Sequence, residues 1–235
     1  MSSSSSSPTS TAPAARARQR RFTAWPLWAT ACGVLGLVSL LSESRPDGNG
    51  TGFDYPVTAE DAVSVGHEAF RVAGVTGYLT ALALLALAAL WHHRVTRRFP
   101  GSAGSTLVSY SLVATAALTT LAFGWRGALG NYPPGGPEAD TYDTEGLYTY
   151  FVMNDFSPYI GFVPLLGACY GLAWMAFFEG LVSKPLGGLA ALLATVLLGM
   201  VAVTGVPGLP ALSLVGLVIV GVWLAVGRSA ITQEA

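Results

Sequence analysis

The chain has 235 residues, of which 52% are hydrophobic and only 11% charged, with a formal net charge of −1. That is too little polar surface for a water-soluble globule of this size. A near-neutral charge also excludes a nucleic-acid-binding protein that works through a basic face.

Six apolar runs dominate instead, and a hydrocarbon core about 30 Å thick needs roughly 20 such residues per spanning helix. Residues 1–24 open the chain as a Ser/Thr/Ala/Pro-rich tail ending in Arg16, Arg18, Arg20 and Arg21, too polar to pack and read as a disordered cytoplasmic tail. Arg20-Arg21 before an apolar run resembles an export signal. No small-residue cleavage site follows Leu41, so the run Trp25–Leu41 is read as a retained first span. The outer loop Ser42–Ala69 carries a Gly/Asp/Asn segment, with a sequon at Asn49-Gly50-Thr51 taken as chance, and then Thr58-Ala59-Glu60-Asp61. Thr58 followed by Asp61 has the form of an acidic capping box, which predicts a helix that starts in the loop and continues into the second span, Phe70–Leu90.

His92–Ser105 is a short basic loop suited to anionic headgroups. The third span, Thr106–Trp125, carries Ser111, Thr115 and Thr119 at four-residue spacing, with Thr120 and Tyr110 nearby. Such a stripe either lines a polar path or bonds to the preceding helical turn, and the second use is the commoner. Arg126–Ser157 is the longest loop. It holds the rigid turn sequence Asn131–Pro137 and an aromatic-rich stretch, Thr144–Asp155, expected to cover the bundle or lie at the interface. Ser157-Pro158 reads as cap and first residue of the fourth span, Pro158–Phe178. The fifth and sixth spans, Leu186–Gly205 and Ala211–Gly227, are joined by the hairpin Val206–Pro210, and residues 229–235 form a second cytoplasmic tail.

Charge orients this array. Nine Lys or Arg residues fall on the side of the tails and three on the other, which places both termini in the cytoplasm. Eleven of the thirteen acidic residues lie in the two long outer loops. Trp25, Trp28, Trp91, Trp125 and Trp223 cluster at span ends, where indole rings favour the headgroup level. Both cysteines lie inside spans, so no disulfide is expected. The expected fold is therefore all-α: six transmembrane helices, both termini cytoplasmic, with a partly helical outer cap, in the plasma membrane.

No Asp, Glu, His or Lys falls at mid-span, which argues against a buried-carboxylate pump. Ionisable and polar groups gather at the outer helix ends. His67, Glu68 and Arg71 share a helical neighbourhood before the second span. Arg126 closes the third, and Glu145, Asn154, Asp155 and Tyr159 precede or open the fourth. In a bundle these eight residues would ring one outer-face pocket. Arg71 and Arg126 suit a phosphate or carboxylate, and His67 beside Glu68 has the makings of an acid/base pair. The competing role for the two arginines is structural: interfacial groups paired with Glu68 and Asp155 to hold the loops down. His67 and Glu68 alone make no metal site, and no cofactor fingerprint occurs. Glu179, at the inner end of the fourth span, is expected to face solvent or a basic loop residue.

The stretch Gly124-Trp125-Arg126-Gly127 to Asn131-Tyr132-Pro133-Pro134-Gly135-Gly136, then Glu145-Gly146-Leu147-Tyr148 and Met153-Asn154-Asp155-Phe156-Ser157-Pro158-Tyr159, resembles a group of uncharacterised actinobacterial multi-pass membrane proteins. The Ala/Gly/Leu/Val bias and the excess of Arg over Lys fit a high-GC bacterial genome. The resemblance covers about 70–228 and implies that the second outer loop is the group's defining feature, without implying an activity. The leading expectation is a non-enzymatic membrane protein whose outer pocket binds a lipid headgroup, small anion or partner. The alternatives are an enzyme acting on a lipid-linked substrate at the outer leaflet and a small-solute facilitator.

Overall fold

A computed structural model describes residues 23–44, 56–227 and 229–233. The N-terminal arginines, the Gly/Asp/Asn segment with its sequon, Arg228 and the last two residues lie outside these. The described chain is all-helical: α1 (Leu27–Leu41), α2 (Ala59–Val63), α3 (His67–Trp91), α4 (Ala103–Leu129), α5 (Thr144–Ile160), α6 (Val163–Phe177), α7 (Lys184–Thr204) and α8 (Ser213–Val226). A π turn, His92–Thr96, extends α3, and 3-10 turns cover Leu209–Leu212 and Ala230–Thr232.

Five stretches are long and apolar enough to cross a membrane: His67–Thr96, Ala103–Leu129, Thr144–Phe177, Lys184–Thr204 and Leu209–Val226. The apolar α1 is shorter, with 15 residues, or about 22 Å of rise. Large apolar side chains point outward along the bundle, among them Leu82, Leu121, Leu192, Val203 and Val226. In water that surface would drive aggregation; in hydrocarbon it is the solvent-facing surface.

Helix order in space follows small residues. α1 lies between α3 and α8, α3 packs on α4, α4 on α6, and α6 on α7. A Cβ on Gly104 would stand 2.6 Å from the Gly171 carbonyl oxygen, and one on Gly171 would stand 2.8 Å from that of Gly104. The α4–α6 crossing therefore brings two backbones together with nothing between them. Gly74 meets the backbone of Gly127 in the same way, and Gly77 receives the Phe123 ring. On the other side, Gly33 of α1 accepts Val218 and the Leu214 carbonyl of α8. With few apolar gains from leaving lipid, such close backbone packing is what holds the helices together.

The hydroxyl stripe of α4 is internal. Thr115 donates to the Ser111 carbonyl at 2.8 Å, Thr119 to Thr115 at 2.7 Å and Thr120 to Ala116 at 2.7 Å, so each hydroxyl bonds one turn back. Polar joints between helices occur at mid-helix, where Tyr170 of α6 and Thr195 of α7 bond at 3.3 Å, and at the bundle ends. Trp91 donates its indole N–H to Ser105, whose hydroxyl also bonds Thr96 at 2.8 Å.

Two local readings need correction. The capping-box helix does not run into the second span. The Asp61 carboxylate does accept from the Thr58 backbone N–H at 2.7 Å and from its hydroxyl at 2.9 Å, which holds that carboxyl below the usual carboxylate range. Yet α2 ends at Val63, and α3 restarts after Gly66, an extended residue whose N–H donates to Ser44 at 3.0 Å. Nor does Ser157-Pro158 open a helix. Asp143 caps α5, accepting from the Gly146 N–H at 2.9 Å, and α5 runs through Pro158 as far as Ile160. The chain then turns at Gly161-Phe162, and Pro164 takes the first-turn position of α6 that sequence reading gave to Pro158. Pro158 has no N–H to give to the carbonyl one turn back, and α5 ends at Ile160.

Candidate functional site at the end of helix α4

The site is built on Arg126, in the last turn of α4 and fully buried at 0% exposure. A guanidinium out of water must have its charge balanced and its N–H groups bonded. Both conditions are met. Nε donates to the Asn154 side-chain oxygen of α5 at 2.9 Å. Nη1 donates to the Ser39 carbonyl at 2.5 Å and the Leu40 carbonyl at 3.3 Å, at the end of α1. Nη2 donates to a Glu43 carboxylate oxygen at 3.0 Å, which makes the pair an ion pair. Tyr159 donates its hydroxyl to the same Glu43 oxygen at 3.1 Å, and its ring lies 5.8 Å from the guanidinium carbon.

One residue thus joins three chain segments. The last turn of a helix leaves carbonyls without intrahelical partners, and those of α1 are taken up by a cation, the favourable charge at that end. A further bond ties the same turn to α3: the Ser39 hydroxyl donates to the Ala73 carbonyl at 2.6 Å. Asn154 is buried and Tyr159 half-buried, while the Glu43 side chain keeps 21% of its surface exposed. Glu43 is therefore the wet rim of a dry cluster.

Of the eight residues expected to ring an outer pocket, Arg126, Asn154 and Tyr159 come together. His67 is half-buried, packed where a Cβ on Gly135 would stand 3.1 Å from its ring. Glu68 and Arg71 are exposed on the first turns of α3, with the Arg71 backbone pressed against Gly130. Glu145 is exposed in the first turn of α5, a favourable place for an anion, and Asp155 is exposed one residue beyond Asn154.

Glu43 is the member that sequence reading left out. It lies 83 residues from Arg126 in the chain, so no local spacing links them. The available signal was depth: both residues stand just at or beyond the same end of their helices.

Beside the cluster, the loop between α4 and α5 folds around aromatic rings. Tyr132 meets Tyr142 edge-on at 4.7 Å and Tyr150 at 5.5 Å, and Tyr150 approaches Trp125 at 6.1 Å. Edge-to-face and tilted pairs of this kind suit a cap that must be rigid without a large core. Burial, with Tyr142 and Glu138 nearby, pushes the Tyr132 phenol above its ordinary range.

At the opposite end of the bundle, Glu179 finds a helix N-terminus rather than a basic side chain or open solvent. It accepts from the Ser102 hydroxyl and, at 3.3 Å, from the Gly104 N–H. Ser102 in turn accepts from the Ser105 N–H at 2.9 Å as the N-cap of α4. A carboxylate at the positive end of a helix needs no other cation. Among the described residues, no group of three or more His, Cys, Asp or Glu could hold a metal ion. Comparison with protein-family models, curated proteins and solved structures finds no match to this chain.

Proposed function

We propose that the chain is a non-enzymatic plasma-membrane protein of six spans, with both termini cytoplasmic, whose outer face receives a phosphate- or carboxylate-bearing group. The sixth span would be α1. Its apolar sequence and its place between α3 and α8 support this, and local bilayer thinning accommodates its length. The Lys/Arg asymmetry supports the orientation.

The observation that carries the anion reading is the state of Arg126. Its guanidinium already holds a carboxylate, that of Glu43, on a partly exposed side chain at the rim. Arginine recognises carboxylate and phosphate through the same fork of donors. A phosphate from a lipid headgroup or a free anion would take the place of Glu43 on Nη2, while the α1 carbonyls and Asn154 keep their bonds. Exposed Arg71 adds a second cation at the outer end of α3.

The test is thermal unfolding of detergent-purified protein with inorganic phosphate or with phosphatidylglycerol, for wild type, Glu43→Gln and Arg71→Gln. Ligand that binds only the folded state raises the midpoint. The larger rise is expected in Glu43→Gln, where the internal carboxylate charge is gone, and a smaller one in Arg71→Gln. A response to the lipid alone assigns the site to a headgroup; a response to both assigns it to the anion. Identical midpoints with and without either ligand in all three proteins would sink the reading.

A further inference from the structure

The end of the bundle opposite Arg126 carries a cationic surface. α3 ends its apolar run at Trp91, and His92, His93, Arg94, Arg97 and Arg98 follow at once. No Asp or Glu occurs in the chain between Glu68 and Glu138. The π turn His92–Thr96 sorts these residues by side. Val95 is fully buried, and the Thr96 hydroxyl bonds Ser105 at 2.8 Å and Ser109 at 3.1 Å, so that side faces α4. All five basic side chains are exposed. Arg97 stands four residues after His93, and Arg98 four after Arg94; on a helical turn such pairs are neighbours on one face.

The face is held in place and its charge is not taken up from within. The Arg97 N–H donates to the His92 carbonyl at 2.9 Å and the Arg98 N–H to the Val95 carbonyl at 3.1 Å, so little backbone order is lost on binding. Arg98 donates to the Gln233 carbonyl and lies 5.3 Å from the Phe99 ring. Among the described residues, the Arg94 and Arg97 side chains make no hydrogen bond or ion pair. Glu179, the carboxylate that packs at this end, is already held by Ser102 and Gly104. The neighbouring surface is apolar. Leu82, Leu85 and Ala89 are exposed on α3, and Leu107 and Tyr110 on α4. From Ala89 to Arg94 the helix rises only about 8 Å, so apolar surface gives way to cationic surface within two turns.

We propose that Arg94 and Arg97, flanked by His93 and Arg98, form a binding surface for the phosphates of anionic membrane phospholipids. Charge complementarity selects an anion, and the adjoining leucines select its source. An anionic phospholipid places hydrocarbon against Leu82 and Leu85 and a phosphate at the depth of the guanidiniums, which long side chains reach while their stems stay on apolar surface. A soluble anion satisfies only the second half of that surface. The face lies at the far end of the bundle from Arg126 and does not rest on the anion reading there.

The experiment is phenylglyoxal labelling of arginines in the full wild-type chain, read residue by residue by mass spectrometry after digestion. It is run in detergent micelles containing phosphatidylcholine, phosphatidylglycerol, or phosphatidylcholine with inorganic phosphate. Buried Arg126 stays unlabelled while the chain is folded, and Arg71 reports separately on the anion reading at the other end. Phosphatidylglycerol is expected to slow labelling of Arg94 and Arg97 about fivefold relative to phosphatidylcholine, the effect of one charge at an anionic surface. Salt at about 1 M is expected to remove most of that protection. Equal labelling of Arg94 and Arg97 in the two lipids would overturn the proposal. So would protection by inorganic phosphate as strong as that by phosphatidylglycerol, which would assign the two arginines to a free anion.

Discussion

Replacing Arg126 with Met is expected to lower the unfolding midpoint of the detergent-solubilised protein by about 10 °C. The substitution removes the ion pair with Glu43 and takes donors from Asn154, Ser39 and Leu40 at once. Breaking a buried pair by removing one partner costs about 3–5 kcal/mol. For a domain of this size, each kcal/mol moves the midpoint by about 2–4 °C. Arg126→Lys tests the geometry separately. It keeps the charge, but an ammonium cannot reach α1, α5 and Glu43 with one planar fork, so it is expected to recover less than half of the loss. A midpoint within 2 °C of wild type in Arg126→Met would mean that the clamp does not hold these helix ends together.

The second large effect is expected at the α4–α6 crossing. Gly104→Val places a branched side chain where even a Cβ would lie 2.6 Å from the Gly171 carbonyl oxygen and from Met175. Backbone cannot rotate away as a side chain can, so the helices must separate. Overpacking of this kind costs about 1–3 kcal/mol and more when backbone must move. The separation would also pull apart Ser102, Gly104 and Glu179 at the same end. Gly199 on α7 is the control. No atom comes within 4 Å of a Cβ there, so Gly199→Ala is expected to be neutral or to stabilise by up to about 1 kcal/mol through helix propensity. Thermal unfolding of both variants checks the contrast. Equal loss in the two would show that glycine acts here through the helix backbone rather than through the crossing.

The membrane-length helices were legible because a bilayer imposes one simple rule, about 20 apolar residues per crossing. Helix junctions were less so. Pro158 carries the N1 signature, yet Asp143 caps the helix fifteen residues earlier, because a proline near a helix's last turn and one in its first turn look alike in sequence. Gly66 separates α2 from α3 through an extended conformation that the capping box before it does not announce. Arg126, Asn154 and Tyr159 were singled out as groups at the outer helix ends, and the structure gathers them. Glu43 was not, because its partnership depends on α1 and α4 both packing on α3, a fact of assembly.

The most direct test of the account is a double-mutant cycle between Arg126 and Glu43, using Arg126→Met, Glu43→Gln and the double variant in thermal unfolding. Groups that share a buried pair do not contribute independently. The double variant is expected to be more stable than the summed single losses predict, by about 1–3 kcal/mol. Losses that add to within about 0.5 kcal/mol would contradict the account, because the two residues would then not be acting as one clamp.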